Sequence, residues 1–204
     1  MGNKRPPFEP GTVFHVYNHG NAEDNIFREA ENYRYFLKRY AYYIPPVAKT
    51  YAFCLLPNHF HLMVQVRMKD ELAAYFRSQG KDLPGFENLE GLVVKQFSNL
   101  FNSYTKAFNK KYDRKGRLFQ KNLQRKSITN STYYTRLITY IHQNPVHHRF
   151  VEKPEQWPYS SYLIILSRKK TQLEREQVLE WFGDKQAFLD IHGQMSEINE
   201  QEFY

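Results

Sequence analysis

The chain has 204 residues, 41% of them apolar and 17% aromatic, enough for the core of one ordinary domain and against general disorder. Its net charge is +8, divided unevenly: residues 171–204 hold eight acidic and two basic residues, a net of −6, so residues 1–170 carry +14. A body that basic points to a polyanionic partner, nucleic acid first, while a mean hydropathy of −0.72 without a long apolar run makes a membrane-spanning helix an expected absence.

The opening MGNKRPPFEPG has no signal-like apolar stretch. A single Cys54 excludes an intrachain disulfide, so the expected setting is the reducing cytoplasm. The first strand signal is residues 11–17, closed by the turn-like Asn18-His19-Gly20-Asn21. Tyr33, Phe36, Leu37, Tyr40 and Ile44 then recur at helical spacing until Pro45-Pro46. A second strand is expected over 47–56, and Pro57-Asn58 turns into a third. Residues 67–90, with Gly80, Pro84 and Gly85, read as a long loop holding a short helix. Val93, Phe97, Leu100, Phe101, Tyr104 and Phe108 mark an amphipathic helix, followed by a strand over 117–127. Asn130 or Ser131 can cap a helix from Thr132 to about Asn144, which Pro145 is expected to stop. The order is βαββαβ, a ferredoxin-like α+β antiparallel sheet with helices on one face and the other face open. Two short helices, 173–182 and 186–191, should follow in an acidic, mostly helical extension. The expected division is 1–162 for the main domain and 163–204 for the extension.

The third strand carries the chemistry. Read with period two, Phe60, Leu62, Val64 and Val66 share one face, and His59, His61, Met63 and Gln65 the other. Two neutral imidazoles on one face can share a divalent ion, although His-x-His alone does not separate ligands from packing residues. On the helix from Thr132, the apolar stripe is Tyr134, Leu137, Ile138 and Ile141. Tyr133, Tyr140 and Asn144 line its edge, with Tyr140 and Asn144 one turn apart. A tyrosine hydroxyl can attack a phosphodiester polarised by a metal, and an asparagine carbonyl could complete the ligands. A packed tyrosine followed by an asparagine cap is the structural alternative.

Four segments resemble the HUH single-strand DNA transposases, in particular the REP-associated tyrosine transposases and their insertion-sequence relatives. They are 14–20 (FHVYNHG) with 26–28 (IFR), 54–62 (CLLPNHFHL), 116–120 (GRLFQ) and 140–146 (YIHQNPV). The WPYSSY of 157–162 is similar too, so the likeness spans about residues 11–162. The resemblance implies His59 and His61 as ligands of Mg²⁺ or Mn²⁺, Asn144 as third ligand, and Tyr140 as a nucleophile giving a 5′-phosphotyrosine link and a free 3′-hydroxyl. No nucleotide cofactor is implied. The implied partner is single-stranded DNA with a hairpin, bound by a monomer or homodimer, monomer favoured. The chain departs from the family's usual N-P-V-R-A-G with Asn144-Pro145-Val146-His147-His148-Arg149, which puts two further histidines beside the site; solvated surface is their expected place.

Residues 106–126 hold nine Lys or Arg and one acid, Asp113. Arg114, Lys115, Arg117, Lys121, Arg125 and Lys126 are the candidate DNA contacts, while Tyr104 and Phe108 fit the core. Two other readings remain: a non-catalytic single-stranded DNA or RNA binder on the same fold, and a metal-dependent phosphodiesterase that uses water. The acidic extension could mask the basic surface.

Overall fold

The computed structural model describes residues 6–78 and 89–194. Four strands, β1 (Val13–His19), β2 (Ala48–Leu55), β3 (His59–Val66) and β4 (Gln124–Ile128), form one antiparallel sheet in the order β2-β3-β1-β4. Helix α1 (Ala30–Tyr43) connects β1 to β2. Helices α2 (Lys69–Ser78) and α3 (Leu89–Lys111) lie between β3 and β4 in sequence. The α+β class and the antiparallel sheet follow the sequence reading. The ferredoxin-like description fits loosely, because α2 is added and the second face is not open.

Strand alternation decides which side chain goes where. Phe14, Val16, Phe60, Leu62, Val64 and Val66 point to the face packed by α1 and α3, where an aromatic core gathers Phe36, Phe97, Leu100 and Tyr104. The opposite face carries Val13, Ala52, Cys54 and Met63 and forms a second core with Leu137, Ile138, Tyr140 and Ile141. Those four belong to α4 (Thr132–His147), which packs on β2 and β3. The expectation of helices on one face is therefore corrected: an exposed sheet face bearing those apolar residues would be unfavourable, and α4 covers it.

Every residue of α4 from Leu137 to Pro145 is buried, as for a helix enclosed on all sides. Its outer side is covered by α6 (Arg175–Phe182) and α7 (Lys185–Gly193), which follow the short α5 (Tyr162–Leu166). Val178, Phe182 and Phe188 enter the same core. Leu173 pairs with Thr50 of β2, and residues 160–161 cover the rest of that sheet edge. The described part of the acidic extension thus lies by the β2 edge, whereas the basic segment leads into β4 at the opposite edge. Residues 195–204 of the extension, with three of its acids, lie outside the described residues.

Two boundaries differ from the sequence reading. Residues 117–123 are not a strand: Gly116 takes a positive φ of 85°, Phe119 makes an isolated bridge to Gly20, and β4 begins at Gln124. Pro145 does not stop α4 either. A proline lacks the N–H that residue 141 would receive, yet the helix continues past it to His147. Asn130, not Ser131, supplies the side-chain cap, its Oδ1 accepting from Thr132 N at 3.0 Å. The loop expected over 67–90 contains α2, and residues 79–88 lie outside the described residues.

Candidate active site

The site is built where β1, β3 and α4 meet. In the β1–β3 register Tyr17 stands opposite His61 and His19 opposite His59, so four polar or aromatic side chains line the α4 face at one end of the sheet. His15 and Lys126 face the same way, opposite each other across β1 and β4. The turn that holds this end depends on Gly20: a Cβ there would sit 2.0 Å from the Asp24 carbonyl oxygen. Gly20 N donates to Asn58 O at 2.7 Å, tying the end of β1 to the residue before His59.

Each candidate ligand is oriented by a neighbour. His59 Nδ1 lies 2.7 Å from Asn58 Oδ1, which can only accept, so Nδ1 carries the proton and Nε2 presents a lone pair. His61 Nδ1 lies 2.9 Å from His15 Nε2; the tautomer in which His61 donates turns its own Nε2 lone pair the other way. Asn144 Nδ2 donates to Tyr140 O at 2.8 Å, which aims Oδ1 away from the helix. His59 Nε2 and Asn144 Oδ1 are both buried without a hydrogen-bond partner, and the Asn144 side chain is near enough to favour a protonated His59. Burial opposes that proton, with His19 and His148 adding to the effect, and pushes the His59 pKa down to about 3. Burial likewise holds His61 well below its ordinary value, with His15 and His59 contributing. His59 Nε2 and Asn144 Oδ1 are thus two buried neutral acceptors with no hydrogen to receive, an arrangement that is costly unless a donor or a cation meets them.

That donor set fits a divalent ion: imidazole nitrogen twice and one carboxamide oxygen, leaving positions for substrate oxygens. It holds no carboxylate, and among the described residues no group of three or more His, Cys, Asp or Glu is placed to hold a metal. Only with Asn144 does the set reach three.

Tyr140 lies in the same place. Its ring is edge-on to His61 at 5.6 Å and to His15 at 6.0 Å, and the residue has no exposed surface. Tyr133 is exposed at the far end of α4, and Tyr134 packs on Trp181 at 4.6 Å. The α4 spacing therefore brings Tyr140 and Asn144 to the histidines and leaves Tyr133 outside. His148, expected as solvated surface, is exposed but sets its ring 4.9 Å from that of His59; His147 is half-buried, 6.5 Å from Tyr140.

The sequence reading missed His15, His19 and Asn58. The signal for the first two is the same period-two spacing that exposed His59 and His61, written on β1 as His15-Val16-Tyr17-Asn18-His19. Of the six basic candidates, Arg114 pairs with Asp24 and donates to Arg117 O. Arg125 pairs with Glu90 at 2.9 Å, donates to Pro6 O and lies over the Phe8 ring. Both guanidinium groups fasten the chain to itself. Lys115, Arg117 and Lys121 are exposed, and Lys126 lies on the site face. Arg117 and Lys121 border a cavity of about 540 Å³ between α3 and residues 116–125, on the other side of the sheet from Tyr140.

No protein-family model matches the chain, and no curated protein does. Among solved structures, one described as a REP-associated tyrosine transposase bound to a REP hairpin is similar, with a TM-score of 0.56. The match covers 82% of this chain and 87% of that one. The two chains share a fold. At 19% sequence identity the likeness speaks for the fold alone. Among the described residues no helix is long and apolar enough to cross a membrane.

Proposed function

We propose that the protein is a metal-dependent tyrosine transposase of the HUH kind that cleaves and rejoins single-stranded DNA, with hairpin recognition. The observation that carries the reading is the convergence of His59 Nε2 and Asn144 Oδ1, buried acceptors without a partner, beside His61 and Tyr140. The shared fold with a hairpin-bound tyrosine transposase supports it.

His59, His61 and Asn144 would hold Mg²⁺ or Mn²⁺, and the ion when bound supplies Lewis-acid polarisation of the scissile phosphate. Tyr140 Oη attacks phosphorus as it loses its proton. The new Oη–P bond replaces the P–O3′ bond, and the departing O3′ takes up a proton. The products are a 5′-phosphotyrosine link and a free 3′-hydroxyl, and the reverse attack by another 3′-hydroxyl rejoins the strand. Asn58 and His15 hold the two imidazoles in line. Lys115, Arg117 and Lys121, all exposed, are the cations best placed to meet phosphates, since Arg114 and Arg125 are engaged within the chain.

The test is an SDS-stable complex between the full chain and labelled single-stranded DNA in Mn²⁺. The adduct should form with the native chain and vanish in Tyr140→Phe while oligonucleotide binding persists. An adduct of normal yield in that variant would refute the assignment of Tyr140. The second reading, DNA binding without cleavage, draws on the complete burial of Tyr140, whose hydroxyl must be uncovered before a phosphate can reach it. It predicts binding with no adduct in any metal.

A further inference from the structure

The chain leaving α4 forms a second feature beside the histidines. Arg149 N donates to Val146 O and Phe150 N to Pro145 O, both at 2.9 Å, the paired bonds of a Schellman cap with Arg149 at its left-handed position. That position favours glycine, yet Arg149 occupies it with φ 59° and an exposed side chain. Backbone strain kept by a charged surface residue needs a return elsewhere. The cap also places Phe150 with 45% of its surface exposed, where packing on its own helix would hide it.

Phe150 leans instead on Trp157, ring centroids 5.5 Å apart and planes 33° from parallel. Trp157 is fixed by its indole N–H donating to Leu55 O at 2.9 Å and by the Tyr33–Tyr159 stack at 3.6 Å behind it. Phe150 also approaches His148 at 6.3 Å, and His148 approaches His59 at 4.9 Å. A line of rings thus runs from His59 through His148 and Phe150 to the fixed Trp157, with Phe150 partly exposed and the exposed Arg149 next to it in the chain.

Building on the reading of a single-strand DNA enzyme, we propose that His148, Arg149 and Phe150, backed by Trp157, form a stacking site for an unpaired DNA base next to the scissile phosphate. Phe150 takes the face of the base and Arg149 its phosphate. An aromatic face accepts any base, so the site supplies affinity and placement without sequence readout.

The test uses Tyr140→Phe chains, which cannot form an adduct, and two probes: a thymidine oligonucleotide of about 20 nucleotides and an abasic strand of equal length, compared by anisotropy. Adding Phe150→Ala should weaken thymidine binding roughly 5- to 100-fold and leave the abasic strand unchanged, the range expected for one lost stacked base. Arg149→Gly should weaken both probes while raising the thermal midpoint, since glycine relieves the left-handed residue. Equal affinities for thymidine with and without Phe150 would overturn the stacking site, as would equal losses on both probes. The adduct assay on the native chain separates the two ideas. An adduct with no effect of Phe150→Ala sinks only the stacking site; a thymidine-specific loss without any adduct keeps it and removes cleavage; no binding to either probe sinks both.

Discussion

Two clusters of buried histidines lie against α4, and they differ in one respect. At His142 every nitrogen is used: its Nε2 meets Ser161 Oγ at 2.7 Å, and its Nδ1 meets His192 Nε2 at 2.9 Å. His192 Nδ1 in turn donates to Phe188 O at 2.7 Å. Gln143 completes the set by donating to His192 O. This chain of bonds fastens α7 to α4 and to β2, where Ser161 also accepts from Phe53 N. Two residues further along the same helix, Asn144 Oδ1 and the facing His59 Nε2 have no such partners. One cluster is closed by hydrogen bonds within the chain, and in the other two buried acceptors are left without one. Burial lowers the pKa values in both, so titration does not distinguish them; the bonding does.

The largest effect should come from the open cluster. His59→Ala should reduce cleavage by at least about 10³-fold, as expected when several kcal/mol of phosphate polarisation are lost, with a thermal midpoint close to native. Cleavage at the native rate would remove His59 from the site. His142→Ala should do the reverse. It leaves His192 Nε2 and Ser161 Oγ short of a partner and opens a cavity, at a cost of about 3 kcal/mol, or roughly 6–12 °C in midpoint for a chain of this size. Metal binding by the folded variant should be unchanged, as calorimetry in Mn²⁺ would show.

Acid should act on the closed cluster next. His192 titrates at about 4 when folded, against its ordinary 6.5, because burial disfavours the imidazolium. Between those values the unfolded chain binds the proton and the folded chain does not. Stability therefore falls as pH drops from 6.5 toward 4, by at most about 3 kcal/mol from this group. Thermal scans of His192→Gln across that window should show a shallower slope; an identical slope would mean that His192 is not the group responsible. Smallest is Asn130→Ala, which removes the cap at the far end of α4 and should cost about 1 kcal/mol without altering metal affinity.

How much of this could be read in the sequence depended on range. His59 with His61 and Tyr140 with Asn144 are pairs within one element, so strand and helix periods set each pair on one face, while the roles expected of them come from the resemblance. Residues that pair over long separations were hidden. Arg114 finds Asp24 ninety positions away, and His142 finds His192 across fifty, and no local pattern marks either. The second sheet face was misjudged for a related reason: Cys54 and Met63 need a cover, but α4 arrives some seventy residues after them in the chain. Pro145 misled because it stands near the C-terminal end of α4, where one missing N–H removes little of the helix. His15 and His19 were legible in principle, since β1 carries the same alternation as β3.

The central claim is that the open cluster binds a metal, and titration of Mn²⁺ followed by electron paramagnetic resonance tests it without any need for DNA. The native chain should take up one ion, which His59→Ala and Asn144→Ala lose and His142→Ala keeps when folded. Uptake that survives both His59→Ala and Asn144→Ala would place the ion elsewhere and contradict the account.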